Sequence, residues 1–224
     1  MTDINKNFSE LIRRIASQPP IKSPNLRSLA TTIVPTTTPT PREPTIGEKA
    51  LTIVVGSIGL ETYKYLYQQT QYRRTLDLLM TSQILLNGLK GKILFADHIK
   101  IHREYSYLIA PAAKGFEGAL LAIALDKRMI TQIDIDNGVQ IGNIYADHNG
   151  KEAKAKAFVL KPKDKGLVNK IYADWHRFRN KSLHYDQDFF VDNYNEAEKT
   201  VNEIYEIIKL AYKIFIGPPD IFNP

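Results

Sequence analysis

The chain has 224 residues, 43% of them hydrophobic, enough for one good-sized domain with a buried core and an appendage. A formal charge of +6, from 30 Lys and Arg against 24 Asp and Glu, favours a polyanionic partner, nucleic acid first, without demanding one. The absence of cysteine excludes disulfide scaffolds, thiolate zinc sites, iron–sulfur clusters and cysteine nucleophiles.

Residues 1–18 place Ile4, Phe8, Leu11, Ile12 and Ile15 at helical spacing, which predicts a short amphipathic helix. They lack the continuous apolar core of a secretory signal, and no later run approaches the roughly 18 apolar residues of a membrane span. The expectation is a cytoplasmic protein with no membrane partner. Seven prolines between Pro19 and Pro44 make residues 19–45 an extended linker, leaving 46–224 as the main domain.

Within Ile46 to Gly59 the apolar, β-branched "ALTIVVGSIG" reads as a short strand or a loop leading into a helix. Leu60 to Leu89, with Leu66, Leu76, Leu79, Met80, Ile84 and Leu85 and no proline, predicts one long helix or two in succession, closed by Gly88. A further helix is expected from Pro111, in its first turn, to about Arg128. From Ile130 to Ala146 apolar and polar residues alternate on both sides of Asn137-Gly138, which predicts a β-hairpin. After a lysine-rich connection (Lys151 to Lys165), helices are expected over Gly166 to Arg179 and Tyr194 to Ile216. The fold class is mainly α, a helical bundle with a small β-hairpin insertion at about 130–146.

The segment "DWHRFRNKSLHYD", 174–186, gathers two of the five histidines, the sole tryptophan, two arginines and a lysine. Such a segment brings a permanent cation and a group titrating near neutrality to one place. Arg179-Asn180-Lys181-Ser182-Leu183-His184, an arginine, a polar residue, three spacers and a histidine, resembles the signature of the HEPN superfamily of nucleases. Upstream, "IAPAAKGFEG" resembles the proline, basic residue, two spacers, Glu-Gly pattern in the nuclease domain of RNase LS-type toxins. Two positions depart from that toxin pattern: Lys114 stands where arginine is found and Asn180 where histidine is found. The resemblance covers roughly Leu60 to Ile216.

The resemblance implies a compact helical bundle with the signature near the start of its last long helix. It also implies a metal-independent endoribonuclease that needs no cofactor and acts as a toxin or defence effector. RNA supplies its own nucleophile in the 2′-hydroxyl, so the protein needs a base, an acid and a cation. His184 would be general base or acid, Arg179 the phosphate clamp, Asn180 an orienting group, and Glu117 and Lys114 would position His184 and a phosphate oxygen. One signature histidine per chain, against two proton transfers per cleavage, implies a homodimer with a composite site. Trp175 and Phe178 are expected as apolar contacts across its axis. The expected partners are RNA, a second copy and an antitoxin protein.

Structural readings compete. Arg179 could pair with Asp174 or Asp186, with His184 packed beside Trp175, and Lys114 and Glu117 could be a salt-bridged turn on a solvated face. His176 could be a second site residue or a core or cap histidine. His98 and His102 are four apart but lack a glutamate base and a third ligand. Tyr63, Tyr65, Tyr67 and Tyr72 read as packing rather than a stacking platform, and the lysine run as a solvated loop or a track for an RNA backbone. The alternative functions are a non-catalytic HEPN bundle that binds a nucleotidyltransferase or other partner, and RNA binding without cleavage. Tyr185 directly after His184, rather than two residues on, disfavours the transferase pairing.

Overall fold

The computed structural model describes residues 43–69, 72–90, 105–183, 191 and 193–217, with the side chains of Arg73 and 180–183 outside the description. The expected N-terminal helix, almost all of the linker, and the pair His98 and His102 lie outside the described residues. Regular structure among them is helical: α1 (Ile46–Ile58), α2 (Leu60–Gln68), α3 (Arg73–Leu89), α4 (Ser106–Asp126), the short α5 (Gln132–Asp136) and α6 (Gly142–Tyr145), α7 (Lys165–Leu183) and α8 (Tyr194–Phe215). Two 3₁₀ turns, Lys154–Phe158 and Pro162–Asp164, precede α7.

The segment expected as a strand or loop is α1, and its first residues explain why. Thr45 Oγ1 accepts from the Glu48 amide at 3.2 Å while Glu48 Oε2 accepts from the Thr45 amide at 2.7 Å. This reciprocal box satisfies two of the donors a helix start leaves unpaired. Ala50, Leu51, Val54, Val55 and Ile58 are then buried along one helical face, and that burial outweighs the β preference of the branched residues. The stretch from Leu60 to Leu89 is two helices, α2 and α3, and Gly88 lies inside α3 rather than closing it.

Helix α4 is the centre of the bundle, packed by α3, α7 and α8. By length and composition it is apolar enough to cross a membrane, contrary to the expectation that no run is. Its apolar residues serve the core: Leu108, Ile109, Ala112, Phe116, Leu120 and Ile123 are all buried. Pro111 sits inside α4 rather than in its first turn, since the helix begins at Ser106. A proline there lacks the N–H and displaces the carbonyl one turn back. The next amide is met from α3, where buried Ser82 Oγ accepts from the Ala112 N–H at 2.8 Å. Gly115 lets the two helices close, because a Cβ there would lie 2.8 Å from Leu79 Cδ2 and 3.1 Å from the Thr75 carbonyl oxygen.

Tyrosines add polar pins to this apolar interior. Tyr205 and Tyr194 donate to the carbonyls of Leu79 and Leu86 in α3 at 2.9 and 3.1 Å, and Tyr145 donates to that of Leu120 in α4 at 2.9 Å. Burial holds the Tyr145 and Tyr205 phenols well above the ordinary range. Tyr63 and Tyr65 are packing residues as expected, buried and half-buried, whereas Tyr67 is exposed and stacks on Tyr63 at 6.1 Å.

The insertion between α4 and α7 is not a hairpin around Asn137-Gly138. Thr131 and Asp134 form a second reciprocal cap, with the Thr131 amide 2.7 Å from Asp134 Oδ2, and the chain turns into α5. Asn137 keeps a negative φ of −81° and Gly138 takes +75°, so the two positive angles of a tight hairpin turn are missing. Instead the Val139 amide bonds the Asp134 carbonyl and the Gly138 amide the Ile135 carbonyl, the Schellman ending of a helix. The tight turn falls on the other Asn-Gly pair, Asn149 and Gly150, with φ of +52° and +75°, and closes an isolated bridge between His148 and Lys151.

A polar clasp fixes this insertion on α7. Asp147 Oδ2 accepts from Lys156 Nζ at 2.6 Å and from Asn169 Nδ2 of α7 at 3.3 Å, and Oδ1 accepts from the Ala153 amide at 2.6 Å. The Lys156 hydrogen bond first, then the Ala153 amide, hold the Asp147 carboxyl below the usual carboxylate range.

Candidate active site

The signature segment begins in the last turns of α7, which runs on to Leu183 rather than stopping at Arg179. Arg179 is therefore near the end of α7, and the last long helix among the described residues starts only at Tyr194. This departs from the placement that the HEPN resemblance implies. Asn180 follows Arg179 on the α7 backbone, its side chain outside the description, and His184 lies outside the described residues altogether.

The two arginines of α7 divide between its flanks. At 3.6 residues per turn, residues 177 and 179 point about 160° apart. Arg177 Nη2 is 3.0 Å from Asp174 Oδ1 and 3.0 Å from Glu203 Oε2 of α8, and its guanidinium lies over the Phe178 ring at 4.4 Å. Asp174 is also 2.8 Å from Lys170. Asp174, one of the two partners expected for Arg179, is thus engaged by Lys170 and Arg177, in a groove of about 760 Å³ between α7 and α8. Arg179 turns the other way, its guanidinium 5.6 Å from the centre of the Trp175 ring.

Helices α4 and α7 run antiparallel. The Tyr105 amide, just before α4, donates to the Val191 carbonyl beyond the end of α7 at 2.9 Å. Midway, Phe116 and Phe178 meet with ring centroids 6.4 Å apart. In an antiparallel pair of right-handed helices the residue after each contact residue turns to the same side. Glu117 and Arg179 therefore share the flank opposite Arg177.

Glu117 Oε1 accepts from Lys114 Nζ at 2.9 Å, with the lysine side chain 57% exposed and the glutamate 21%. The pair rims a groove of about 620 Å³ between α3 and α4, with Arg74, Thr75, Asp77 and Thr81. As an exposed i, i+3 ion pair it adds little stability, so both groups are available to a ligand at modest cost.

On the Arg179 flank Tyr172, which the sequence reading passed over, joins Trp175 and His176 in an aromatic group. Tyr172 stacks on Trp175 at 5.9 Å and 28°, and His176 is tilted against Tyr172 at 6.1 Å. His176 is exposed, not a core histidine. Trp175 and Phe178 were expected as contacts between subunits, but both are buried inside this one, 8% and 0% exposed, because their face of α7 packs on α4. The Trp175 indole Nε1 is buried without a hydrogen-bond partner among the described residues. The signal that could have found this group is its spacing, since Tyr172, His176 and Arg179 recur every three to four residues along one face.

Among the described residues no three His, Asp or Glu side chains converge as a metal site needs. Comparison with protein-family models, with curated proteins and with solved structures finds no match to this chain. The functional reading rests on the residues and their geometry.

Proposed function

We propose that this chain is a metal-independent endoribonuclease of HEPN type, acting as a toxin or defence effector. The observation that supports it best is the shared flank of Glu117 and Arg179. Two segments far apart in sequence, each selected by its own motif, reach one side of one helix pair. In the proposed reaction the 2′-hydroxyl oxygen attacks the adjacent phosphorus as the bond to the 5′-oxygen breaks. The 2′-proton passes to a base and a proton is delivered to the leaving 5′-oxygen, giving a 2′,3′-cyclic phosphate and a 5′-hydroxyl. Arg179 neutralises the phosphorane oxygens through its planar fork of donors. His184 transfers protons, Asn180 and Glu117 orient it, and Lys114 meets a phosphate oxygen.

One signature histidine per chain leaves the second proton transfer to a symmetry mate, so the active form is a two-fold dimer, restrained by an antitoxin that covers or splits the cleft. The test is cleavage of total RNA in the presence of EDTA by wild type and His184→Ala. Activity that survives the chelator, is lost in the variant and yields cyclic phosphate ends supports the reading, while equal activity in the variant overturns it.

RNA binding without cleavage is the second reading, favoured by the lysines of the insertion. In that case wild-type protein retains RNA and leaves it intact.

A further inference from the structure

Beside Arg179 the insertion and α7 build one continuous ledge. Tyr172 lies against Gly142 of α6, where a Cβ would be 3.6 Å from its hydroxyl and 3.9 Å from His148 Nε2. His148 is held there by a 3.1 Å contact of that nitrogen with the Gly142 carbonyl. The Asn149-Gly150 turn then projects Lys151, and the Asp147–Asn169 contact fastens the turn to α7. Along α7, Tyr172, His176 and Arg179 follow one another at intervals of four and three residues, a stripe about 10 Å long at 1.5 Å per residue. From its insertion end to its helix end the ledge reads Lys151, His148, Tyr172, His176, Arg179. His148, Lys151 and His176 are exposed, and Tyr172 and Arg179 are half-exposed.

The part of the insertion nearest α7 in sequence is basic. Between 148 and 165 there are six lysines against Glu152 and Asp164. Lys156 is committed to Asp147 and Lys165 lies 3.5 Å from Glu152, while Lys151, Lys154 and Lys163 are exposed. Flat rings in series flanked by cations suit a polyanion whose bases are free to stack. A duplex hides its base faces, so it could use the cations but not the rings.

We infer that this ledge is a binding path for single-stranded RNA, with bases stacked on Tyr172 and His176 and phosphates met by Lys151 on the way to Arg179. The inference rests on the nuclease reading in taking RNA as the polyanion. It adds the strandedness of the substrate and its route. Neither Tyr172 nor the insertion lysines belong to the proposed cleavage machinery, so binding and cutting are separable.

The probe is a fluorescent 2′-O-methyl oligonucleotide of about twelve nucleotides, within the site size of single-strand binders. It lacks the nucleophile, so anisotropy reads binding alone. Wild type is expected to bind it at least tenfold more tightly than its duplex. The variant K151E is expected to lose about fivefold or more in affinity, with a salt slope lower in magnitude by about 0.7. His176→Ala, at an exposed position that spares the fold, loses about fivefold or more, the low end of a lost base stack, and leaves the salt slope unchanged. Single-strand affinity that is unchanged in both variants overturns the path, even where RNA is still cut. Equal affinity for the duplex overturns the stacking, and displacement of the probe by polyglutamate as readily as by RNA assigns the ledge to an acidic protein. Wild type that binds as expected but cuts no RNA sustains the ledge and removes the nuclease reading.

Discussion

Phe116 of α4 and Phe178 of α7 pack ring to ring with centroids 6.4 Å apart, and the contact fixes the sides to which their neighbours turn. Glu117 and Arg179 go to one side and Arg177 to the other, where Asp174 and Glu203 hold it. Two arginines separated by one residue thus have different physical jobs.

That division predicts opposite phenotypes. Arg179→Lys keeps the charge but not the planar two-point contact with phosphate oxygens, and RNA cleavage should fall about a hundredfold or more. Arg177→Ala removes a half-exposed ion-pair network and should cost no more than about 1 kcal/mol of stability, with the cleavage rate within twofold of wild type. Initial rates and urea melts on both variants check this, and near-wild-type cleavage by Arg179→Lys would make Arg179 structural.

Assembly is the second test. Because Trp175 and Phe178 are buried within the subunit, a two-fold interface must use other surfaces, and mutating those two residues should unfold the protein rather than merely separate subunits. Light scattering alongside cleavage over a dilution series should show activity falling as dimer is lost. A monomer with the specific rate of concentrated protein excludes the composite site.

The bond from the Ala112 amide to Ser82 Oγ gives a stability prediction independent of function. Ser82→Ala leaves a buried N–H beside Pro111 without its partner and should cost about 1–3 kcal/mol in urea unfolding. A loss below about 0.5 kcal/mol, the size of an ordinary surface change, would mean that water replaces the hydroxyl.

The clasp around Asp147 gives a pH dependence. Its carboxyl titrates lower when folded than unfolded, so its contribution is present above the unfolded value of about 4 and is lost as pH falls through the folded one. Hydrogen exchange across 142–158, corrected for intrinsic rates, should therefore rise below about pH 4. Asp147→Asn should loosen the insertion already at neutral pH, and more than Lys156→Met does. The first leaves the buried Lys156 ammonium without its counter-charge, whereas the second leaves an exposed carboxylate in water. Equal protection in the two variants would deny the clasp its role.

Much of the bundle was legible because helical periodicity is a property of the chain itself. The apolar face of α8 from Ala197 to Phe215 is buried as its spacing predicts. Two misreadings share one overlooked signal. Thr45-Ile46-Gly47-Glu48 and Thr131-Gln132-Ile133-Asp134 are both threonine followed three residues on by an acid, and each starts a helix where the β-branched run or the Asn-Gly pair suggested extended chain. A helix start outweighed a turn dipeptide because the cap satisfies backbone donors at once, while a hairpin at 137–138 had no partner strands to reward it.

Other features were beyond the sequence. Nothing local distinguishes Arg177 from Arg179, or tells that the amide following Pro111 meets Ser82 of another helix. The inward face of Trp175 and Phe178, by contrast, was written in the helical spacing of Val168, Ile171, Trp175 and Phe178. Composition, charge and helical spacing are set residue by residue along the chain. Which flank a side chain occupies, and which distant segment meets it there, is decided only when α4 and α7 pack antiparallel, since burying both apolar faces fixes the rotation of each helix about its axis.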